Sequence, residues 1–103
     1  MTITSLPQLP KNRYHREYFP IEIVAMNEPV KVNSVQNSEM KELTLFKYTI
    51  ADPHGNRGEL VSWGEHIGYK TGDRINLRNF LVKEFRGTIQ IVKINKTEMR
   101  MIV

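Results

Sequence analysis

An aromatic ring and a guanidinium group follow each other at a predicted turn in the second half of the chain. Residues 80–91 read FLVKEFRGTIQI, so Phe85 and Arg86 precede Gly87 between two hydrophobic segments. Turns usually consist of glycine, proline and small polar residues, so a phenylalanine here is unusual if it only fills a core. A phenyl ring can stack on a flat ligand, and a guanidinium can stack or bind phosphate. The pair therefore favours binding to a flat or anionic ligand.

Motifs that would support catalysis are incomplete in this sequence. Residues 64–71, GEHIGYKT, lack both the spacing and the Gly-Lys step of a phosphate-binding loop. Residues 38–41 fit Ser-x-x-Lys but stand without the other motifs of serine enzymes. His15, His54 and His66 have no metal-ligand spacing, and the chain has no cysteine. We therefore expect no enzymatic activity, no metal and no cofactor.

The composition indicates one basic globular domain. The 103 residues include 15 Lys and Arg against 11 Asp and Glu, a net charge of +4. Excess positive charge favours polyanionic partners, because phosphate binding releases condensed counterions. No apolar run approaches the roughly 18 residues of a membrane span, and the N-terminus lacks the pattern of a signal peptide. With the absence of cysteine, these features predict a cytoplasmic protein that does not enter a membrane.

Prolines distinguish the first nineteen residues from the rest. Pro7 and Pro10 within this segment, and Pro20 directly after it, exclude a long helix or a central strand here. We predict an extended or flexible N-terminal arm over residues 1–19 and a single β domain over residues 20–103. The basic and aromatic residues 11–16 of the arm could contact a ligand or a protein partner, and the alternative is a solvated tail.

Alternating and β-branched segments predict five strands in the domain. The first begins at Ile21 and bends or bulges near Pro29, and the polar residues 34–42 are typical of a loop. Further strands are predicted over residues 43–51, 57–63, 74–85 and 87–95. In the second strand Phe46, Tyr48 and Ile50 share one face.

Turns and one irregularity separate these strands. Turn residues cluster at 52–56 and 71–73 and at Arg86 and Gly87. The hydrophobic pattern slips by one residue within residues 74–85, which predicts a bulge near Arg78 and Asn79. Residues 65–69 are predicted to form one or two helical turns.

This order of elements predicts an all-β protein with the OB-fold. That fold is a five-stranded Greek-key barrel, here with a short helical segment between the third and fourth strands. An SH3-like barrel is the main alternative, but it would not normally carry a helical insertion at that position.

A resemblance supports the same fold. Residues 51–91 resemble the archaeal single-stranded DNA-binding proteins and the OB-folds of replication protein A. The matching positions are Asp52, Gly55, Trp63-Gly64, Gly72-Asp73, Phe85-Arg86-Gly87 and Ile89-Gln90-Ile91. The chain departs from the family at Phe80-Leu81, where the family has a small residue followed by an aromatic one.

The resemblance implies non-catalytic binding of single-stranded DNA in replication, repair or recombination. Such binding uses rings on which bases stack and cations along the backbone path, across the second and third strands of the barrel and the adjoining loops. With Leu60 pointing inward, alternation points Arg57, Glu59, Val61 and Trp63 outward. The candidate binding residues are Trp63, Phe85, Arg86, Arg57, Lys47 and Lys83, with Gln90 as a weaker candidate for a hydrogen bond to a base.

Each candidate has a structural alternative. A single tryptophan in a small β domain often lies in the core, Phe85 could cap the barrel, and the cations could be solvated surface charges. The alternative functions are single-stranded RNA binding and a structural OB-fold subunit that assembles with another protein through its barrel or its arm. The sequence does not specify an oligomeric state.

Overall fold

The computed structural model describes residues 3–102, apart from the side chain of Gln36. Within these residues a one-turn 3₁₀ helix, Leu6–Gln8, precedes nine strands. The strands are β1 (Arg13–His15), β2 (Phe19–Met26), β3 (Val30–Gln36), β4 (Glu39–Ala51), β5 (Arg57–Trp63), β6 (Arg74–Arg78), β7 (Phe80–Phe85), β8 (Thr88–Val92) and β9 (Glu98–Met101). No helix in this part of the chain is long and apolar enough to cross a membrane.

Six of these strands form a five-stranded barrel, in which β6 and β7 together count as one strand. Antiparallel pairs join β2 to β4 and β4 to β5, and a parallel pair joins β5 to β8. β8 pairs with β7, and β6 returns to pair with β2. Since β6 and β7 are two parts of one strand interrupted at Asn79, the order is that of an OB-fold Greek-key barrel. The predicted all-β OB-fold is confirmed.

The predicted count of five strands is too low. The chain adds β1 at the free edge of β7, β3 beside β4, and β9 at the edge of β6. Sequence reasoning missed β9 because it has only four residues, Glu98–Met101, which are too few to predict a strand although they alternate between charged and apolar side chains. The added edge strands cover backbone groups that the barrel strands would otherwise expose.

The predicted irregularity near Arg78 and Asn79 is confirmed. Asn79 has a φ of 60° between β6 and β7, and its carbonyl oxygen accepts a hydrogen bond from Thr97 Oγ1 at 2.7 Å. Before the break Leu77 faces the core, and after it Phe80 does. The bulge therefore keeps both halves of the hydrophobic pattern on the inside of the barrel.

The core consists of the inward side chains of the barrel strands. Tyr48 and Ile50 are buried, and Phe46 is partly buried against them, so the three side chains share one face as predicted. The rest of the barrel core is Phe19, Ile21, Ile23, Leu60, Ile67, Ile75, Leu77, Phe80, Val82, Ile89 and Ile91.

The loop predicted over residues 34–42 is wrong. β3 and β4 run through it as a hairpin whose last pair is Gln36 and Glu39. Asn37 and Ser38 form the turn with φ of 52° and 63°. Positive φ at both central residues matches the twist of the paired strands, so the backbone continues its ladder although the side chains are polar.

The helix predicted over residues 65–69 is also wrong. The segment is irregular, because Gly68 takes a φ of 81° and the Ile67 N–H donates to Tyr48 Oη at 3.2 Å instead of to a helical carbonyl. Ile67 is buried by this arrangement. A tertiary contact and a glycine thus override the local helical preference.

The N-terminal segment packs on the barrel. Leu6 and Leu9 lie in the core, β1 pairs with β7, and the Leu6 N–H donates to Asp52 Oδ2 at 2.7 Å. Leu6 also lies against Gly58, where a Cβ atom would be 3.1 Å from Leu6 Cδ1. Leu6 and Leu9 are therefore held against the barrel. The roles expected for residues 11–16 and the division into an arm over residues 1–19 and a domain over residues 20–103 stay predictions.

Candidate nucleic-acid interface

The side chains that point away from the core on β4, β5, β8 and β7 share one surface, which we call the outer face. Directly paired residues of neighbouring strands project to the same side of a sheet. The pairs Lys47–Val61, Val61–Val92 and Val92–Leu81 thus run across this face. Two residues further along each strand, the row Thr49, Glu59, Gln90 and Lys83 lies beside it.

All six candidate residues belong to the outer face or its rim. Lys47 lies on β4, Arg57 and Trp63 on β5, and Lys83 and Phe85 on β7, while Arg86 is in the turn after β7. The alternation of the strands brings them together, although they are spread over 40 positions of the sequence.

The backbone after β5 fixes Trp63 at one end of the outer face. Ser62 Oγ donates to the Glu65 carbonyl oxygen at 2.7 Å, and the Gly64 N–H donates to the Thr44 carbonyl oxygen at 2.7 Å. Gly64 makes this turn with a φ of 77°. The Trp63 side chain is 45% exposed, so the structure places it outside the core.

Phe85 and Arg86 occupy the opposite end. Phe85 pairs with Thr88 across a two-residue turn in which Arg86 and Gly87 have φ of 51° and 79°, so the predicted turn is confirmed. Phe85 is 51% exposed and does not cap the barrel. The Arg86 guanidinium carbon lies 5.1 Å from the centroid of the Phe85 ring, a cation–π contact that holds the cation at the rim.

The two candidate rings are far apart. The β5–β8 register places Arg57 level with Thr88 and hence with Phe85, and Trp63 lies six residues from Arg57. At about 3.3 Å per residue, this separates the two rings by about 20 Å along the strands. Trp63 and Phe85 therefore cannot enclose one base, but each can stack on a different base of one strand.

The four candidate cations have no carboxylate partner in the described part of the chain. The ion pairs formed by residues 3–102 lie elsewhere, for example between Arg78 and Glu98 and between Lys93 and Glu65. Glu59 is the carboxylate near the centre of the outer face, and its Oε1 accepts a hydrogen bond from Gln90 Nε2 at 3.0 Å. Gln90 thus already uses one of its two amide N–H donors within the protein.

Between the cations the outer face has an apolar strip. Val61 points outward as predicted, yet it is only 3% exposed because its neighbours cover it. Val92 and Leu81 continue the strip as partly exposed side chains. Phe80 and Leu81 are the two residues at which the sequence differs from the family that it resembles. Phe80 is in the core and Leu81 is on the outer face, so neither supplies an exposed ring.

Two titratable groups with shifted pKa values lie away from this surface. Burial raises the pKa of the Asp52 carboxyl, but hydrogen bonds from Leu6, Asn56 and His54 outweigh it and hold the pKa below its ordinary value. Burial lowers the pKa of His15, against a smaller opposing effect of Glu17. Asp52 anchors the N-terminal segment, and His15 packs against Phe80 with ring centroids 5.2 Å apart, so both have structural roles.

Sequence reasoning missed that the sheet extends beyond β7. β1 pairs with β7 so that Tyr14 lies opposite Leu81, which puts the tyrosine on the same side as the outer face. The alternation of Arg13, Tyr14 and His15 carried this signal, but three residues are too few to predict a strand.

The closed barrel, its strand order and its exposed outer face define the chain as an OB-fold domain. The replication factor A related protein of Methanobacterium thermoautotrophicum matches it with a TM-score of 0.71 and 17% identity, over 98% of this chain and 91% of that chain. The second OB-fold domain of replication protein A from Methanococcus maripaludis matches with a TM-score of 0.63 and 20% identity, over 92% and 89%.

A third similar structure contains DNA. Schizosaccharomyces pombe Pot1pC bound to the single-stranded DNA CGGTTACGGT matches with a TM-score of 0.57 and 13% identity, over 99% of this chain and 87% of that chain. No protein-family model and no curated protein sequence matches the chain. The predicted resemblance to replication protein A-like OB-folds is confirmed at the level of the fold.

Proposed function

We propose that this domain binds single-stranded DNA across the outer face, without catalysis, as part of replication, repair or recombination. The observation that carries the proposal is the position of two exposed rings, Trp63 and Phe85, on one face with four cations that have no carboxylate partner among residues 3–102. Fold similarity to replication protein A-like domains and to a DNA-bound Pot1pC supports DNA as the ligand.

In this proposal, different parts of the single-stranded DNA contact different groups of the outer face. Unpaired bases stack on Trp63 and Phe85, with roughly 1–3 kcal/mol gained per stacked base. The central apolar strip and the Glu59 carboxylate favour bases over phosphates at the middle of the outer face, because a carboxylate repels phosphate. Phosphates then pass near Lys47, at one end of that strip, and near Lys83, in the row beside it.

Stacking and charge contacts of this kind read no particular base sequence. Binding is therefore expected to be general for unpaired strands and weaker for duplexes, in which the bases are already stacked. Since a ring stacks on any base, single-stranded RNA is the alternative ligand.

Matched lysine variants test the proposed surface. Lys83→Ala removes a cation of the outer face, whereas Lys70→Ala removes an exposed lysine in the irregular segment between β5 and β6. Fluorescence anisotropy with a labelled oligothymidylate of roughly 15 nucleotides, near the upper end of OB-fold site sizes, is expected to show weaker binding for K83A and wild-type binding for K70A. Equal affinities for the two variants would contradict the proposed path of the phosphates.

A structural role in protein assembly is the second candidate function. Val35 and Met40 lie directly opposite each other near the tip of the β3–β4 hairpin, and both are exposed. Exposed apolar pairs of this kind favour contact with another protein. Sedimentation of the wild type and of V35S/M40S, each with and without DNA, separates the candidates: assembly that depends on the hairpin, without DNA binding, would replace our proposal.

A further inference from the structure

A basic and aromatic groove adjoins the Trp63 end of the outer face. We call it the Tyr14 groove, and it has a volume of about 690 Å³. It is lined by Tyr14, Arg16, Asn79, Ile94, Asn95 and Lys96. The volume lies within the roughly 300–1,000 Å³ of ordinary small-ligand sites.

The pairing of β1 fixes the orientation of the Tyr14 ring. Tyr14 lies opposite Leu81 and is 61% exposed. On the other side of β1, His15 is packed against the rings of Phe19 and Phe80, with centroids 6.2 and 5.2 Å away. The Asn12 N–H also donates to the Val82 carbonyl oxygen at 2.7 Å. An exposed tyrosine on an anchored strand is a preorganised stacking surface, because ordering it on binding costs little entropy.

The other side chains of the groove fit the remaining parts of a nucleotide. The amides of Asn79 and Asn95 can each donate and accept hydrogen bonds at a base edge. Arg16 and Lys96 are exposed cations, and neither forms an ion pair in the described part of the chain. Among the residues that the structure describes, none of those lining the groove is a carboxylate, so its electrostatics favour a phosphate.

The groove is within reach of a strand that is bound on the outer face. Tyr14 is three strands away from Val61 along the row that passes through Val92 and Leu81. At about 4.8 Å per strand, this distance is about 14 Å. Single-stranded DNA that leaves Trp63 can therefore continue across β8 and β7 to Tyr14.

We propose that the Tyr14 groove is a second nucleotide-binding subsite, which takes one base and one phosphate of the same single strand that crosses the outer face. The inference rests on the proposed function and deepens it, since it makes the N-terminal segment part of the binding surface. It also predicts the path of the DNA across the sheet, which runs from Lys47 on β4 toward β1.

The length dependence of DNA binding tests this subsite. We expect Tyr14→Ala to weaken binding of an oligothymidylate of roughly 15 nucleotides by about 5- to 150-fold, the effect of one lost base stack. Binding of a thymidine dinucleotide, read by quenching of Trp63, is expected to stay unchanged. At about 3.4 Å per nucleotide, it is too short to span the distance of about 14 Å between the outer face and Tyr14. Tyr14→Phe keeps the ring and is expected to bind both lengths as the wild type does.

Two arginines on the same segment provide a matched control. Arg16 lines the groove, whereas Arg13 pairs with the inward-facing Val82 and projects to the other side of β1. Arg16→Ala is expected to weaken binding of the long oligonucleotide, and Arg13→Ala is expected to weaken it less, although both remove one positive charge. Because both arginines are exposed, their replacement is expected to leave the fold intact. The pair therefore tests the subsite even if Y14A lowers the thermal unfolding temperature.

The outcomes distinguish the two proposals. A wild-type protein that binds neither oligonucleotide would refute the proposed function itself. A wild-type protein that binds both while Y14A and R16A match it at both lengths would overturn the Tyr14 subsite and leave the outer face in place. A loss of equal size at both lengths would overturn the subsite as well, because the short strand cannot span the two sites.

Discussion

Asp52 is expected to be the main polar link between the N-terminal segment and the barrel. Its Oδ2 accepts hydrogen bonds from the Leu6 N–H at 2.7 Å and from Asn56 Nδ2 at 2.9 Å. Its Oδ1 accepts from the His54 and Asn56 N–H groups at 2.8 and 3.0 Å. The substitution Asp52→Asn keeps the shape of the side chain but replaces one acceptor oxygen with an NH₂ donor.

The expected cost follows from the bonds that the amide cannot make. Its carbonyl oxygen can retain the Oδ1 pair, and its NH₂ group then faces the two donors, Leu6 N–H and Asn56 Nδ2. Each hydrogen bond to a charged group contributes about 1.5–3 kcal/mol, and an unpaired buried N–H costs about 1–3 kcal/mol. Since two such bonds are lost, we expect D52N to lower the free energy of unfolding by about 3–6 kcal/mol.

Urea denaturation measures this loss, and Asp73→Asn is the matched control. Asp73 Oδ2 accepts one hydrogen bond from the Lys70 N–H in an exposed turn, so D73N is expected to cost less than about 1.5 kcal/mol. In D52N the Leu6 amide is also expected to exchange its hydrogen faster than in the wild type. A D52N variant as stable as D73N would refute the role of Asp52 as an anchor.

The pH dependence gives an independent check on the same carboxyl. Because the folded pKa of Asp52 is lowered, its stabilising effect is present above about pH 4, near the unfolded pKa. It is lost as the pH falls through the lowered folded pKa, since both states are then protonated. D52N is expected to lack this acid-side loss, and an identical acid-side loss in both proteins would contradict the assignment.

Three further predictions concern packing and protonation. Gly58→Ala would place a Cβ atom 2.7 Å from the Ile89 carbonyl oxygen, so we expect a loss of about 1–3 kcal/mol in urea denaturation; wild-type stability would contradict this close approach. Tyr48→Phe removes the acceptor of the buried Ile67 N–H and is expected to cost about 1–3 kcal/mol, whereas an unchanged midpoint would mean that this bond contributes nothing. Burial lowers the folded pKa of His15, so its effect on the free energy of unfolding is unchanged above the ordinary pKa of about 6.5. Below that pH the free energy of unfolding is expected to fall by at most about 1.4 kcal/mol per pH unit, because the unfolded state takes up the proton first. His15→Phe is expected to remove this pH dependence, and an unchanged slope in the variant would mean that another group causes it.

The barrel could be predicted because alternation and burial are directly linked in its strands. Tyr48 and Ile50 face the core as their spacing indicates, and the pattern on either side of Asn79 required the bulge that the backbone makes there. The hairpin over residues 34–42 could not be predicted in this way, because most of its side chains are polar and its apolar pair, Val35 and Met40, stays exposed. Its pairing depends on the backbone of the turn at Asn37 and Ser38.

The errors elsewhere have a common physical cause, which is that tertiary contacts replaced local ones. The segment around Ile67 is held by Tyr48 from another strand, and Leu6 is held by Asp52, which is 46 residues away. For the candidate site, alternation was enough to point Trp63 outward. The distance between Trp63 and Phe85 depends on the parallel register of β5 and β8, which no local pattern in the sequence specifies.

The central claim is that single-stranded DNA lies on the outer face and contacts Trp63, the only tryptophan of the chain. A fluorescence titration with single-stranded DNA, single-stranded RNA and duplex DNA over a range of salt concentrations tests it most directly. We expect single-stranded DNA to quench the tryptophan with micromolar or tighter affinity. With four phosphate contacts, the logarithm of the binding constant should fall against log salt with a slope near −3, roughly −0.7 for each contact. Unchanged fluorescence and no binding of single-stranded DNA at low salt would contradict the claim, and stronger binding of RNA or of the duplex would reassign the ligand.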